Sequence, residues 1–98
     1  MLCISSTVEF EWDAAKATSN LRKHDVGFDE AVTTFFDLLG ALRVDEEHSE
    51  EEARFVFLGR SWRGRLLVTV FTERGHRRRI ISSRPASRKE VKDYEEGV

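Results

Sequence analysis

Three runs rich in Val, Ile, Leu and Phe, at Arg54–Arg60, Arg65–Thr72 and Arg78–Arg84, are separated only by Ser61–Gly64 and Glu73–Arg77. Parallel neighbours would need a crossover of a dozen or more residues, so gaps this short force antiparallel pairing. Each gap contains the glycine that tight hairpin turns favour. A β-meander is therefore the fixed part of any fold for this chain, and Ala41–Asp45 is a candidate fourth strand. Upstream, Val8–Trp12 alternates apolar and acidic side chains, the period of a short edge strand. Asp13 is placed to cap a helix over 14–24, which gathers Ala14, Ala17 and Leu21 on one face and Lys16, Asn20, Lys23 and His24 on another. Gly27 interrupts it. Phe28, Ala31, Val32, Phe35 and Phe36 form the stripe of a second helix ending near Asp37–Gly40. Pro85 stops the last strand, and Ser87 with Glu90 forms a capping box for a short C-terminal helix that carries Val91 and Tyr94 and ends at Gly97.

The predicted order is a strand, two helices, an antiparallel meander and a helix. This is an α+β arrangement with helices on one sheet face. Residues 8–98 are expected to form a single domain, with 1–7 as a loose extension. The 98 residues include 40% hydrophobic side chains and seven Phe, enough for one packed core. Cys3 is the only cysteine, which excludes an internal disulfide and a thiolate metal site and fits a reducing cytoplasm. No apolar run approaches membrane-spanning length, so the expectation is a soluble, cytoplasmic protein without membrane contact.

The net charge of −2 conceals a strong asymmetry. Between Arg54 and Lys89 stand eleven Lys or Arg residues against one acid, Glu73, whereas residues 1–53 hold four bases against thirteen acids. Partners respond to local potential, and an array of arginines attracts phosphate whatever the mean charge. Pairing of the acidic ends with the basic middle is the competing account of the same pattern.

Motifs for nucleotide cofactors are missing, and His24, His48 and His76 lie in separate segments without metal-ligand spacing. No cofactor and no metal are therefore expected. Guanidinium chemistry remains. Arg79 and Arg84 bracket Ile80–Ser83, while Arg60, Arg63, Arg65, Arg74, Arg77 and Arg78 surround the hairpins. Guanidinium groups bind phosphate bidentately and keep their charge. Several meeting in one cleft would stabilise a pentavalent phosphorane without a metal. RNA supplies its own nucleophile, the 2′-hydroxyl. Glu73 is a candidate general base, with pairing to a neighbouring Arg as the alternative. Lys23 and His24, at the end of the first helix, are candidates for proton donation or phosphate contact, although a C-terminal His also suits the helix dipole. Trp62, in a basic turn, is a candidate for base stacking. Tyr94 is a candidate for stacking or hydrogen bonding, with core packing as the alternative, and Trp12 reads as core.

In order, the chain contains W-D-A-A-K at Trp12–Lys16, N-L-R-K-H at Asn20–His24 and V-G-F-D-E-A at Val26–Ala31. There follow H-S-E-E-E-A-R-F at His48–Phe55, L-G-R-S at Leu58–Ser61, R-I-I-S-S-R-P-A at Arg79–Ala86 and E-x-x-x-Y at Glu90–Tyr94. Together these resemble the BrnT family of toxins from bacterial type II toxin–antitoxin systems, from about Phe10 to Gly97. The resemblance implies a RelE-like fold and cleavage of an RNA substrate that arrests translation. It also implies neutralisation by a BrnA-type antitoxin encoded alongside, with operator DNA bound only through that antitoxin. A homodimer and a heterotetramer with the antitoxin both stay open. Lys23–His24 and Arg79–Arg84 match the family pattern and lead the site assignment, whereas Glu73, Arg60 and Tyr94 are carried by role and position. Gly27 departs from the Ser or Thr frequent in the family, which removes a side-chain cap from the second helix.

The resulting expectation is a metal-independent endoribonuclease. Arg84 and Arg79 hold the phosphate, Glu73 or His24 acts as base, and Lys23 with Arg60 assists binding or leaving-group protonation. The alternative is a non-catalytic nucleic-acid-binding module, or one that docks an acidic protein partner.

Overall fold

The computed structural model describes residues 8–48 and 52–97. The expected extension at 1–7 lies outside them. In chain order the elements are β1 (Glu9–Trp12), α1 (Ala14–His24), α2 (Phe28–Thr33), β2 (Ala41–Val44), β3 (Arg54–Arg60), β4 (Leu66–Arg74), β5 (Arg77–Pro85) and α3 (Arg88–Glu96). One five-stranded sheet runs β1-β5-β4-β3-β2. The meander is antiparallel throughout β2 to β5, whereas β1 joins β5 in parallel, so the sheet is mixed. The sequence patterns did not reveal that pairing, because β1 lies far from β5 along the chain and only the intervening helices bring it alongside.

Local chemistry explains most boundaries. Asp13 accepts the Lys16 N–H at 3.0 Å and opens α1. Gly27 begins α2 with no side-chain cap. That helix is shorter than its apolar stripe suggests. It ends at Thr33 and tightens into a 3₁₀ turn at Thr34–Phe36, where the Thr33 and Thr34 hydroxyls each donate back to a carbonyl three residues earlier at 2.7 Å. Gly64 and Gly75 take the left-handed conformation (φ 83° and 64°) that closes the two hairpins. Ser87 and Glu90 form the complete capping box of α3. No helix of the described residues is long and apolar enough to cross a membrane.

The core lies between α1, α2 and one sheet face. Phe28, Phe71 and Ile80 are fully buried at its centre, with Phe10, Phe35, Phe55 and Phe57 packed around them. Phe35 meets Phe10, Phe57 and Phe71 with ring centroids 5.4, 5.0 and 5.1 Å apart. Trp12 sits at the margin rather than in the core, edge-on to Phe28 and 38% exposed, because β1 is the outermost strand. The opposite sheet face is only partly covered, since α3 approaches it without burying any residue of its own.

Candidate functional site

The arginines do not converge. Arg63, Arg65, Arg74, Arg77, Arg78, Arg79 and Arg84 each stand no further than 3.6 Å from a carboxylate. Arg63 and Arg65 reach the helix side and hold buried Glu30, which also accepts from Ser61. Hydrogen bonding from Arg65, ahead of the opposing effect of burial, keeps the Glu30 carboxyl below its usual range. These two arginines thus staple the β3–β4 hairpin to α2. Arg74 grips Glu52 through two bonds of 3.0 and 3.1 Å. Arg77 reaches Glu9 and Glu11, and Arg79 binds Glu11 at 2.9 Å. Arg78 points to the core side, its guanidinium 5.2 Å from the ring centroids of both Phe35 and Phe71.

Several expected site residues are therefore dispersed. Glu73 pairs with Arg78 across the β4–β5 ladder. It lies five positions along β4 from Val68, the residue opposite Arg84, which is about 17 Å at normal strand rise. Arg60 donates to the Gly64 carbonyl and lies over the Tyr94 ring. Tyr94 donates from its hydroxyl to Asp37 at 2.6 Å and ties α3 to the end of the 3₁₀ turn. Burial works to raise the Asp37 pKa, but bonds from Tyr94 and from the Arg60 and Leu39 N–H groups outweigh it and hold the carboxyl down. Trp62 is 74% exposed beside this cluster.

What the structure brings together lies around Arg84. Strand alternation alone would put Arg79 and Arg84 on opposite faces. A β-bulge prevents this: Val70 pairs with Ser82 and Phe71 with Ile80, leaving Ile81 as the extra residue. Arg79 then stands opposite Thr72 and Arg84 opposite Val68, four residues apart on one strand and hence on the same open face. On that face Val56, Val68 and Val70 floor a depression of about 590 Å³, with Arg84 and Ser82 at one side and Arg43 and His48 at the other. Ser82 also lines a smaller hollow of about 170 Å³ with Lys23 and His24, at the edge of β5 past the end of β1.

Lys23 and His24 are held there by Asn20. Its amide donates to the Val26 and Ser83 carbonyls at 2.9 and 2.8 Å, and its oxygen accepts the Ser83 N–H at 3.1 Å. Opposite, His48 Nδ1 lies 3.1 Å from the Asp45 carboxylate. Nδ1 faces that acceptor, and Nε2 is the ring nitrogen turned away from it. Sequence reasoning passed over His48, Arg43 and Asn20. The family motifs beginning at His48 and Asn20 were the available signal, but only tertiary placement separates a ligand-facing residue from a structural one.

Arg84 itself is bound bidentately by Glu90, at 2.8 and 2.9 Å. That carboxylate occupies the fork where a phosphate would bind. Hydrogen bonds from Arg84, against the effect of burial and with help from the Ser87 N–H, bring the Glu90 pKa down to about 2. A depressed carboxyl contributes stability above its unfolded pKa and loses it as pH falls through the folded value. We therefore expect this pair to stabilise the fold fully above about pH 5 and to weaken progressively down to about pH 2. In acid titrations followed by circular dichroism, Glu90→Gln should flatten this limb, and an unchanged acid profile would contradict the assignment.

Among the described residues no three His, Cys, Asp or Glu side chains group as metal ligands would. No curated protein sequence matches the chain. The 1.1 Å crystal structure of the Brucella abortus ribonuclease toxin BrnT is similar in fold, with a TM-score of 0.64 at 24% identity, over 84% of this chain and all of that one. Residues 12–90 match the family described as the ribonuclease toxin, BrnT, of type II toxin–antitoxin systems. With most of its length matched, and with its α+β fold shared, the chain belongs to the BrnT family of ribonuclease toxins.

Proposed function

We propose that this toxin is an endoribonuclease that cuts RNA by in-line attack of the 2′-hydroxyl, arrests translation, and is held inactive by a protein antitoxin of the BrnA type. The RelE-type kinship of the fold is part of this reading. The observation that carries it is the position of Ser82, with Arg84 and His48 around one depression and Lys23 and His24 around the next. Arg84 beside Ser82, with Lys23 and His24 in the adjoining hollow and Arg43 and His48 across the depression, replaces the arginine cluster that the sequence suggested. Transfer to the 2′-oxygen needs a cation on the phosphate, a base for the hydroxyl proton and an acid for the leaving 5′-oxygen. Arg84 supplies the first, and His24, which lines the hollow shared with Ser82 at β5, supplies proton transfer, while His48 on the far side of the depression contacts the RNA backbone. Lys23 contacts a flanking phosphate. Arg79 lies on the same face and extends the track for the RNA backbone once Glu11 yields it.

Because RNA brings its own nucleophile, no metal has to generate one. A short all-ribose oligonucleotide should be cut in excess chelator, leaving a 2′,3′-cyclic phosphate and a 5′-hydroxyl. The same oligonucleotide with a 2′-deoxy residue at the scissile position should survive. His24→Ala should slow cleavage by about 10²-fold or more, whereas His48→Ala should weaken RNA binding more than the chemical step. Cleavage that stops in chelator, or that leaves a 5′-phosphate, would exclude the mechanism. RNA that binds yet remains intact would favour a non-catalytic nucleic-acid module.

A further inference from the structure

The strongest feature outside the site is apolar and unpaired. Phe36, Leu38 and Leu39 leave the 3₁₀ turn after α2 at 62%, 98% and 76% exposure, and Leu42 and Val44 of β2 remain about half exposed beside them. Leu42 and Val44 stand opposite Phe57 and Phe55, so they continue the core-side face of the sheet past the point where the helices cover it. β2 is also the last strand of the sheet, and among the described residues none lies beyond it. Its outer N–H and C=O groups form an open template for another strand. Large apolar side chains at this density, beside an open strand edge, mark a protein interface rather than ordinary surface.

We propose that the antitoxin docks here by adding an extended segment to the outer edge of β2, with apolar anchors against Leu38, Leu39 and Leu42 and an acid facing Arg43. This inference rests on the toxin–antitoxin reading, which requires a protein partner, and not on the assignment of catalytic residues. Arg43 carries the only charge on β2 and has no ion-pair partner among the described residues. A second copy of this chain meets that requirement poorly. With the helices kept on one side, symmetric antiparallel pairing of β2 centred on Leu42 sets Ala41 opposite Arg43, and centring on Arg43 sets two guanidinium groups face to face. An acidic segment fits both the edge and the charge. Arg43 and Val44 also form one wall of the depression that holds Arg84. A strand seated on β2 therefore borders the RNA site, and its continuation across the open face would block entry of the substrate.

The test uses the full chain and, as probe, the protein encoded by the adjacent reading frame. Leu38→Asp combined with Leu39→Asp changes only exposed side chains and should leave the circular dichroism and RNA cleavage by the free toxin unchanged. It should weaken the complex by about 30-fold or more, and Arg43→Glu should weaken it by about 10-fold. Hydrogen exchange on the unaltered chain supplies an independent readout: the amides of 41–44 should gain protection when the complex forms. Full affinity in the double variant, or no protection at 41–44, would overturn the proposal. So would a toxin that dimerises by itself through this patch, if the double variant turned it monomeric while antitoxin affinity held. Binding is measured separately from cleavage, so an inactive toxin would refute the ribonuclease mechanism and leave this docking result readable.

Discussion

Arg84→Ala is expected to lower RNA cleavage by about 10²-fold or more while the protein stays folded. Arg84 is the one guanidinium that lies on the open face, borders the depression shared with Ser82, and is already gripped by a carboxylate in bidentate geometry. Its structural debt is small. The side chain is 45% exposed, and its bonds run to Glu90 and to the Pro85 carbonyl, so their loss should cost about 1 kcal/mol or less. For a domain this size that is a fall of a few degrees in melting temperature. Arg84→Lys keeps the charge but loses the fork, and should recover only part of the rate. Glu90→Gln weakens the competitor for that fork and should tighten RNA binding. Thermal melts and single-turnover cleavage on the same preparations separate these effects. A folded Arg84→Ala protein that cuts at the normal rate would remove Arg84 from the mechanism.

Asn20→Ala should produce the largest loss of stability, about 2–4 kcal/mol, or a drop of about 10–20 °C in melting temperature. Asn20 is nearly buried and its amide meets three backbone groups at once: the carbonyls of Val26 and Ser83 and the N–H of Ser83. Alanine leaves those groups unpaired where water does not reach. Asn20→Asp is the sharper test. It replaces the amide donor by an oxygen facing two carbonyls, so it should be at least as damaging as alanine despite its near-identical shape. Ser83→Ala keeps the backbone bonds and loses only the hydroxyl contact to Thr69 at 2.9 Å, which should cost about 1 kcal/mol. Because Asn20 positions the end of α1, a surviving fraction of Asn20→Ala should also cleave more slowly, with Lys23 and His24 displaced from Ser82. A melting temperature within a few degrees of the parent would show that this clamp is dispensable.

Much of the fold was written in short-range chemistry. The hairpin glycines, the Asp13 cap, the Ser87–Glu90 capping box and the alternation in β1 each act within a few residues, and each appears where the pattern places it. The apolar stripe runs on to Asp37–Gly40, yet α2 ends at Thr33 because the hydroxyls of two successive threonines compete for the helix carbonyls, an effect the stripe does not encode. The candidate site was legible in part. Lys23, His24, Arg79 and Arg84 were named from motifs, and the structure places all four on or beside β5. It also removes Arg63, Arg65 and Glu73 to separate ion pairs.

Residue types and local spacing settled that there would be a meander, helices ahead of it, and a basic middle flanked by acidic ends. Whether those bases would face RNA or their own acids depended on contacts between distant segments. Laying β1 parallel to β5 delivers Glu9 and Glu11 to Arg77 and Arg79, and the extra residue Ile81 turns Arg84 onto the face that Arg79 shares. Strand order and a one-residue register shift decide both matters. They are set by the packing of the whole sheet against α1 and α2, which no window of neighbouring residues contains.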